Sequence, residues 1–184
     1  MPSYNFTLIV EGADLQTEDA QNALFEAGCD DATFGAVDGV QFAEFDREAS
    51  SYVEALTSAI VAIQRAILGA RIVHVEPDEL VTMSEIAERV GRSRESIRLL
   101  IAGKRGPGAF PAPVSHVQTR NRLWRLPDIL RWFATHYDDE FGQVLVNSPE
   151  NPDVTAMMNA LLTYHRYEKS VDEAERRQLE EATG

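Results

Sequence analysis

The sequence predicts an α+β protein with a mixed N-terminal domain, a central domain of short helices and a C-terminal helical extension. Two observations on hydrophobicity predict this class. Apolar and polar residues alternate near the N-terminus, as in a half-buried strand, whereas later apolar residues recur every three or four positions, as in amphipathic helices. A third observation concerns charge: basic residues concentrate in the middle of the chain and acidic residues at both ends.

The first strand and helix are predicted within the first 28 residues. Apolar side chains alternate with more polar ones over residues 4–10. Thr17 then opens a helix that carries Glu18 and Asp19 in its first turn, where carboxylates suit the helix dipole, and Gly28 ends it.

A β-hairpin is predicted next. Two short apolar runs, Ala32–Val37 and Val40–Asp46, are separated only by Asp38 and Gly39. Asp-Gly favours a two-residue turn because both positions must accept a positive φ.

A long helix and a fourth strand complete the N-terminal domain. Ser51 and Glu54 are spaced as a capping box, Gly69 ends the helix, and Arg71–Val75 reads as a strand. The resulting order β-α-β-β-α-β over residues 1–79 is the ferredoxin-like pattern. The predicted apolar face of the helix consists of Val53, Leu56, Ile60, Ile63 and Ile67.

The N-terminal domain is not predicted to bind RNA. Residues 1–82 contain 15 acidic and 3 basic residues, and they lack the basic and aromatic residues with which such sheets read RNA. Dimerisation, a partner protein, a small ligand and a purely structural role all remain open.

The middle of the chain predicts two short helices joined by a tight turn. Thr82 and Glu85 form a second capping box, Gly91 makes the turn, and Ser93 caps a helix that stops at Gly103. Ile86, Ala87 and Val90 of the first helix face inward. On the second helix Ile97 and Ile101 share one face, and Arg94, Glu95 and Arg98 the other.

This arrangement is typical of a helix-turn-helix whose second helix enters the major groove of DNA. Arginine matches guanine there through two parallel hydrogen bonds. Two extended runs, Val114–Val117 and Leu123–Leu126, follow with a basic tip at residues 118–122, which predicts a β-hairpin wing within residues 113–126. Pro127 then begins a closing helix, in which Trp132 is predicted to be a core residue, as is Trp124 before it.

The segment that carries this pattern reads VTMSEIAERVGRSRESIRLLIAGKRGPGAFPAPVSHVQTRNRLWRLPDILRWF. It resembles the excisionase-like, MerR/AlpA-type winged helix over about residues 81–133. Members share the first helix-turn, an arginine-bearing second helix, a "gFPaP" segment, a wing ending in tryptophan or tyrosine, and a closing "dvlrWl" helix. The resemblance implies that the second helix, at 94–102, and the wing bind DNA. The effector domain of full MerR activators is not found in this sequence.

The charge distribution allows two interpretations. Residues 83–132 carry 10 basic and 4 acidic residues, against 4 basic and 11 acidic residues in 133–184. The basic island either attracts a polyanion or is a solvated face whose arginines pair with the acidic flanks. Arg89 and Arg131 are assigned to the second kind. The residues predicted to contact DNA are Arg92, Ser93, Arg94, Ser96, Arg98, Lys104, Arg105, Arg120 and Arg122.

The last segment, 138–184, is predicted to be a linker followed by helices. Residues 138–153 are rich in turn formers, and 154–164 form an amphipathic helix that packs on its own protein or on a second copy. Ser170 and Glu173 predict a cap for a final charged helix, Val171–Glu181, with a disordered tail as the alternative.

No catalytic, cofactor or metal site is predicted. The single cysteine, Cys29, and the absence of a visible secretory signal or membrane span favour a cytoplasmic protein. The four histidines are scattered, and no phosphate-binding loop or nucleophile elbow is present.

The leading hypothesis is therefore a transcriptional regulator, more specifically a repressor, that binds double-stranded DNA as a homodimer. The alternative is an antitoxin-like autoregulator whose acidic N-terminal or C-terminal segment binds a partner protein. An excisionase-type architectural factor ranks third because such proteins are commonly little more than the winged helix. An enzyme built on the N-terminal domain ranks last.

Overall fold

A computed structural model describes residues 1–137 and 151–183 of the chain. The chain divides into two compact units. The first comprises Met1–Pro77 together with Val154–Gly184, and the second comprises Asp78–Asp153. The C-terminal segment from Val154 onward is thus part of the same unit as the N-terminal sheet. Most of the predicted linker, residues 138–150, lies outside the described residues.

The first unit is built on one four-stranded sheet. The elements of its N-terminal part are β1 (Ser3–Glu11), α1 (Glu18–Glu26), β2 (Ala32–Val37), β3 (Val40–Glu48), α2 (Tyr52–Ala66) and β4 (Arg71–Glu76). Neighbouring strands run antiparallel in the order β2-β3-β1-β4, which confirms the α+β class predicted from the sequence. Asp38 and Gly39 both have positive φ, 51° and 82°, so the predicted two-residue turn joins β2 to β3.

One face of the sheet carries the core. Alternate residues of β1 and β3, such as Leu8 and Phe45, are buried there. Leu56 and Ile63 of α2 are fully buried in the same core. The apolar pattern of β1 was therefore a sufficient guide to which of its side chains point inward.

The predicted inward face of α2 is wrong at its first turn. Val53 is 50% exposed, whereas Tyr52 is buried. The ring of Tyr52 packs against Tyr4 and Phe6, with centroid distances of 5.7 and 6.1 Å. A tyrosine buries more surface than a valine, so its packing rotates the start of the helix toward it.

The predicted capping box at the start of α2 is half formed. Ser51 Oγ accepts a hydrogen bond from the Glu54 backbone N–H at 3.2 Å, as predicted. The Glu54 carboxylate instead accepts from the hydroxyl and the backbone N–H of Ser50. These hydrogen bonds from Ser50 lower the pKa of Glu54 below its usual value because they favour the ionised form.

Two helices, α6 (Pro152–Tyr167) and α7 (Glu173–Thr183), form the C-terminal part of the chain. The predicted cap at Ser170 is wrong. Asp172 caps α7, because its carboxylate accepts a hydrogen bond from the Glu175 N–H at 2.9 Å. A carboxylate beside the helix start also interacts favourably with the helix dipole.

Helix α6 packs on the first unit through a polar contact that the sequence did not suggest. The Asn159 side-chain amide bonds both backbone groups of Val75: Oδ1 accepts from N–H at 2.8 Å, and Nδ2 donates to C=O at 3.0 Å. Thr155 Oγ1 lies 3.0 Å from the Tyr52 hydroxyl. The flanking apolar residues Val154, Met158 and Leu162 pack against the same core. Because β4 is at the edge of the sheet, Asn159 supplies the outward backbone groups of Val75 with the partners that a further strand would otherwise provide.

Replacing Asn159 with alanine is expected to lower the free energy of unfolding by about 1–3 kcal/mol, because it leaves both Val75 backbone groups without this partner in a buried place. Urea unfolding measures the change. Thr163→Ala, at an exposed position of the same helix, is the matched control and should alter stability far less. Equal losses in the two variants would contradict the role given to Asn159.

The second unit is a small helical domain with a core of its own. Trp124 and Trp132 are buried in that core, as predicted, and each indole N–H donates to a backbone carbonyl, of Pro111 and Gly108 respectively. The elements of this unit are β5 (Leu80–Val81), α3 (Met83–Arg89), α4 (Arg94–Ile101), β6 (Trp124–Arg125) and α5 (Leu126–His136).

The hairpin in the second unit is shorter than predicted. Its two arms meet at one bridge, between Ser115 and Leu123. His116 has a positive φ of 51° and accepts a hydrogen bond from the Thr119 N–H, so the chain already turns there. Beyond Leu123 the second arm pairs with β5 instead of continuing along the first.

Candidate nucleic-acid interface

The start of α3, the turn after it and the start of α4 have the local structure that the sequence predicted. Thr82 and Glu85 form a complete capping box, with Thr82 N–H donating to the Glu85 carboxylate at 2.6 Å. Gly91 has a φ of 61°, a conformation that glycine adopts without strain. Ser93 Oγ then caps α4 by accepting from the Ser96 N–H at 3.2 Å.

Helix α4 is strongly amphipathic. Ile97 and Leu100 are buried in the core of the second unit, and Ile101 is half-buried. Arg94 and Arg98 are exposed on the outward side. The helix therefore holds two guanidinium groups in solvent on a rigid support, one turn apart.

A cleft of about 380 Å³ lies between this outward side and the loop that ends the hairpin. Four of the nine predicted contact residues line it: Arg94 and Arg98 from α4, and Arg120 and Arg122 from the loop. Within the part of the chain that the structure describes, no acidic residue lines it. The other lining residues are Thr82, Met83, Ser84, Ile101, Thr119, Asn121 and Trp124.

The guanidinium of Arg98 is oriented by Glu95. Its Nε and Nη2 donate to the two carboxylate oxygens of Glu95 at 2.7 and 2.6 Å. This hydrogen bonding raises the pKa of Arg98 and lowers the pKa of Glu95, so the pair stays ionised at neutral pH. Glu95 occupies the edge of the guanidinium formed by Nε and Nη2, and the N–H groups of Nη1 together with the second N–H of Nη2 form no hydrogen bond with the described residues. Two parallel donors of this kind match the major-groove edge of guanine.

The other five predicted residues lie outside the cleft lining. Arg92 packs over the ring of Tyr137, with Cζ 4.4 Å from the centroid, and lies 5.6 Å from that of Phe133. This contact ties the α3–α4 turn to the end of α5. Ser93 is engaged as the helix cap and Ser96 is half-buried, whereas Lys104 and Arg105 are exposed after the end of α4.

Sequence reasoning missed part of the cleft wall. Thr119 and Asn121 line it beside the two loop arginines, and Thr82 and Ser84 line it from the start of α3. Thr119 and Asn121 belong to the predicted basic tip at 118–122, so the neighbouring arginines could have indicated them. The α3 pair gave no such signal, because these residues come to the same cleft as α4 only when the two helices pack together.

Arg131 is held by acidic residues, as predicted. Its guanidinium donates to Asp128 at 2.7 Å and to Asp153 at 3.1 Å. These hydrogen bonds, the one to Asp128 first, raise its pKa. Its charge is thus largely neutralised within the second unit, as that of Arg98 is by Glu95, in contrast to Arg94, Arg120 and Arg122, which form no ion pair with the described residues.

Other kinds of site were sought in residues 1–137 and 151–183. No group of three or more histidine, cysteine, aspartate or glutamate side chains is placed to hold a metal ion there. No helix in these ranges has the length and apolar character needed to cross a membrane. Comparisons with known protein families, with curated proteins and with solved structures found no match to this chain.

Proposed function

We propose that the chain is a sequence-specific DNA-binding transcriptional regulator, a repressor located in the cytoplasm, and that its second unit is a winged helix-turn-helix. The single observation that carries the proposal is the cleft. Four arginines from two separate elements converge on it, one of which, Arg98, is paired with Glu95, and none of the described residues that line it is acidic. A cluster of exposed arginines favours the binding of a polyanion, and the phosphate backbone of DNA is one.

Different roles are proposed for the two walls. Helix α4 is capped, amphipathic and rigid, so its outward arginines suit the reading of base edges in the major groove. The loop at 119–122 is exposed and carries Arg120 and Arg122, so it suits contacts with phosphates or the minor groove. The first unit, with its sheet order β2-β3-β1-β4, is proposed to be ferredoxin-like and to serve dimerisation.

The proposal is tested by mobility-shift assays of the purified protein with fragments of its own genome at low ionic strength. A complex with a limited set of fragments is expected, and sequencing them gives the operator and shows whether it is palindromic. Absence of a complex with every fragment would falsify the proposal.

Replacing Arg120 or Arg122 with alanine is expected to weaken binding to all duplexes alike. Removing one arginine–phosphate interaction should make the plot of log K against log salt concentration shallower by about 0.9. Titrations at several salt concentrations measure this slope. Gln118→Ala, an exposed uncharged position in the same loop, should leave the slope unchanged. A weakening confined to the operator sequence would instead assign the loop to base reading.

A further inference from the structure

The two edges of the sheet in the first unit differ in their hydrogen bonding. On the β4 edge, the outward backbone groups of Val75 are bonded by Asn159. On the β2 edge, Asp31 C=O accepts from Asp46 N–H at 3.0 Å, which makes Asp31 and Asp46 a hydrogen-bonded pair. Because such pairs alternate along an antiparallel ladder, the backbone groups of Phe34 and Ala36 point away from β3. No group within residues 1–137 or 151–183 forms a hydrogen bond with them.

Strand β2 also lacks the features that keep edge strands apart. Its six residues, Ala32–Val37, include no charge and no proline, and its register with β3 is unbroken. The β1–β4 pairing, by contrast, has a register shift at Ile9 and Val10. Val37 is 62% exposed. An exposed, uncharged and regular edge is a template for another strand.

We infer that β2 is the dimer interface, pairing antiparallel with β2 of a second copy about a two-fold axis at Gly35. The inference deepens the dimer named in the proposed function. Backbone groups that point outward at Phe34 and Ala36 must face outward groups of the partner strand, and this axis places Phe34 opposite the second copy's Ala36. The two four-stranded sheets then form one continuous sheet.

Side chains fit this register on both faces of the sheet. The large Phe34 of one copy lies beside the small Ala36 of the other, and Thr33 of one copy lies beside Val37 of the other. Gly35 meets its own copy, and the ring of Phe42 covers it so closely that a Cβ there would lie 2.2 Å from Phe42 Cζ. Thr33, Gly35 and Val37 share one face of the strand. In this register they form the non-hydrogen-bonded pairs, whose Cα atoms lie about 4.5 Å apart.

The charge distribution favours binding of a second copy at β2 over binding at other surfaces of the first unit. The first unit is strongly acidic, so two copies repel each other over most of their surfaces. Within Ala32–Val37 no carboxylate is present. The nearest ones, Asp31 and Asp38, fall opposite Gly39 and Ala32 in this register, so that no two carboxylates are directly opposed.

Sedimentation velocity without DNA tests the interface independently of DNA binding. The full chain is expected to sediment with twice the mass of one chain, and Val37→Lys with the mass of one chain, because two lysines per dimer would enter an apolar strand contact. Val61→Lys is the matched control, an exposed valine on α2, and should remain dimeric. A monomeric full chain, or a dimeric Val37→Lys, overturns the inference.

The register is tested by disulfide formation. Thr33→Cys and Val37→Cys, mixed and oxidised, should cross-link with each other, since Cα atoms of such a pair lie within the range that a disulfide spans. Neither variant alone should cross-link, because its two cysteines are then four residues out of register. The native Cys29 is buried and does not interfere. Cross-linking of either single variant to the same extent as the mixture overturns the register. If the dimer forms but no operator is recovered from the genome, the proposed function fails and the interface stands.

Discussion

Replacing Arg94 and Arg98 together with alanine is expected to abolish the preference of the protein for its operator over unrelated DNA. Each arginine that pairs with a base edge contributes about 1–3 kcal/mol of discrimination, so the double variant should lose about 2–6 kcal/mol on specific DNA. Binding to unrelated duplexes should fall less, since only the charge contribution is removed there. Titrations with the recovered operator and with a scrambled duplex of the same length measure the two affinities.

A charge-matched double variant, Arg125→Ala with Arg131→Ala, is the control. Both residues belong to the basic island, but neither lines the cleft. Arg125 is exposed on β6, and Arg131 is already paired with Asp128 and Asp153. This variant should keep its operator preference. If the two double variants lose the same affinity on both duplexes, the cleft is not the surface that reads sequence.

The pairing of Glu95 with Arg98 bears on how such reading is achieved. An unpaired arginine side chain on a helix surface samples many rotamers, and holding it still on binding costs free energy. The bidentate contact with Glu95 restricts the guanidinium before DNA arrives. The same carboxylate repels phosphates. For the DNA binding proposed above, we therefore expect operator preference to be favoured at some expense in general affinity for DNA.

Replacing Arg47 with alanine is expected to lower the free energy of unfolding by about 3–5 kcal/mol, the range found when one partner of a buried ion pair is removed. Arg47 is buried on β3 and donates to both carboxylate oxygens of Asp31 at 2.7 Å, to Gly28 C=O at 2.7 Å and to Ser58 Oγ at 3.2 Å. Hydrogen bonding to Asp31 raises the pKa of Arg47, so Arg47 stays charged at every accessible pH. Its removal leaves the carboxylate and the carbonyl without these donors.

Urea unfolding of the variant, followed by far-UV circular dichroism, measures the effect. The midpoint should fall while the slope of the transition is retained. Arg71→Ala is the control: Arg71 also lies on the sheet, but its side chain is 71% exposed and 3.7 Å from Glu11, so its removal should cost at most about 1 kcal/mol. Comparable losses of stability in the two variants would show that Arg47 contributes no more than a surface arginine.

The features that the sequence predicted well are those encoded by neighbouring residues. The hairpin turn at Asp38 and Gly39 follows from two residues alone, and the capping box of Thr82 and Glu85 from four. Helices α3 and α4 of the second unit follow from this cap, from the cap at Ser93 and from Gly91. Each of these signals acts over a few residues, so no knowledge of the tertiary structure was required.

The features that the sequence did not predict depend on contacts between distant residues. Asn159 and Val75 are 84 residues apart, and nothing in the amphipathic pattern of 154–164 marks an asparagine as the centre of a buried face. Tyr52, and not Val53, is in the core because it packs against the rings of Tyr4 and Phe6 on β1. The four arginines that line the cleft were among the predicted contact residues, whereas the part of its wall formed by Thr82 and Ser84 becomes visible only when α3 and α4 are packed.

The bond between Asn159 and Val75 has a consequence for biosynthesis. A nascent chain emerges from the ribosome N-terminus first, and domains generally fold as units as they appear. The strand that contains Val75 emerges early, but its outer edge stays open until more than eighty further residues have been translated. The second unit is translated between the two parts of the first unit, so it has the opportunity to fold before the first unit is complete. A ribosome that stalls before codon 159 would leave a nascent polypeptide with an unsealed β-edge, which is a substrate for chaperones.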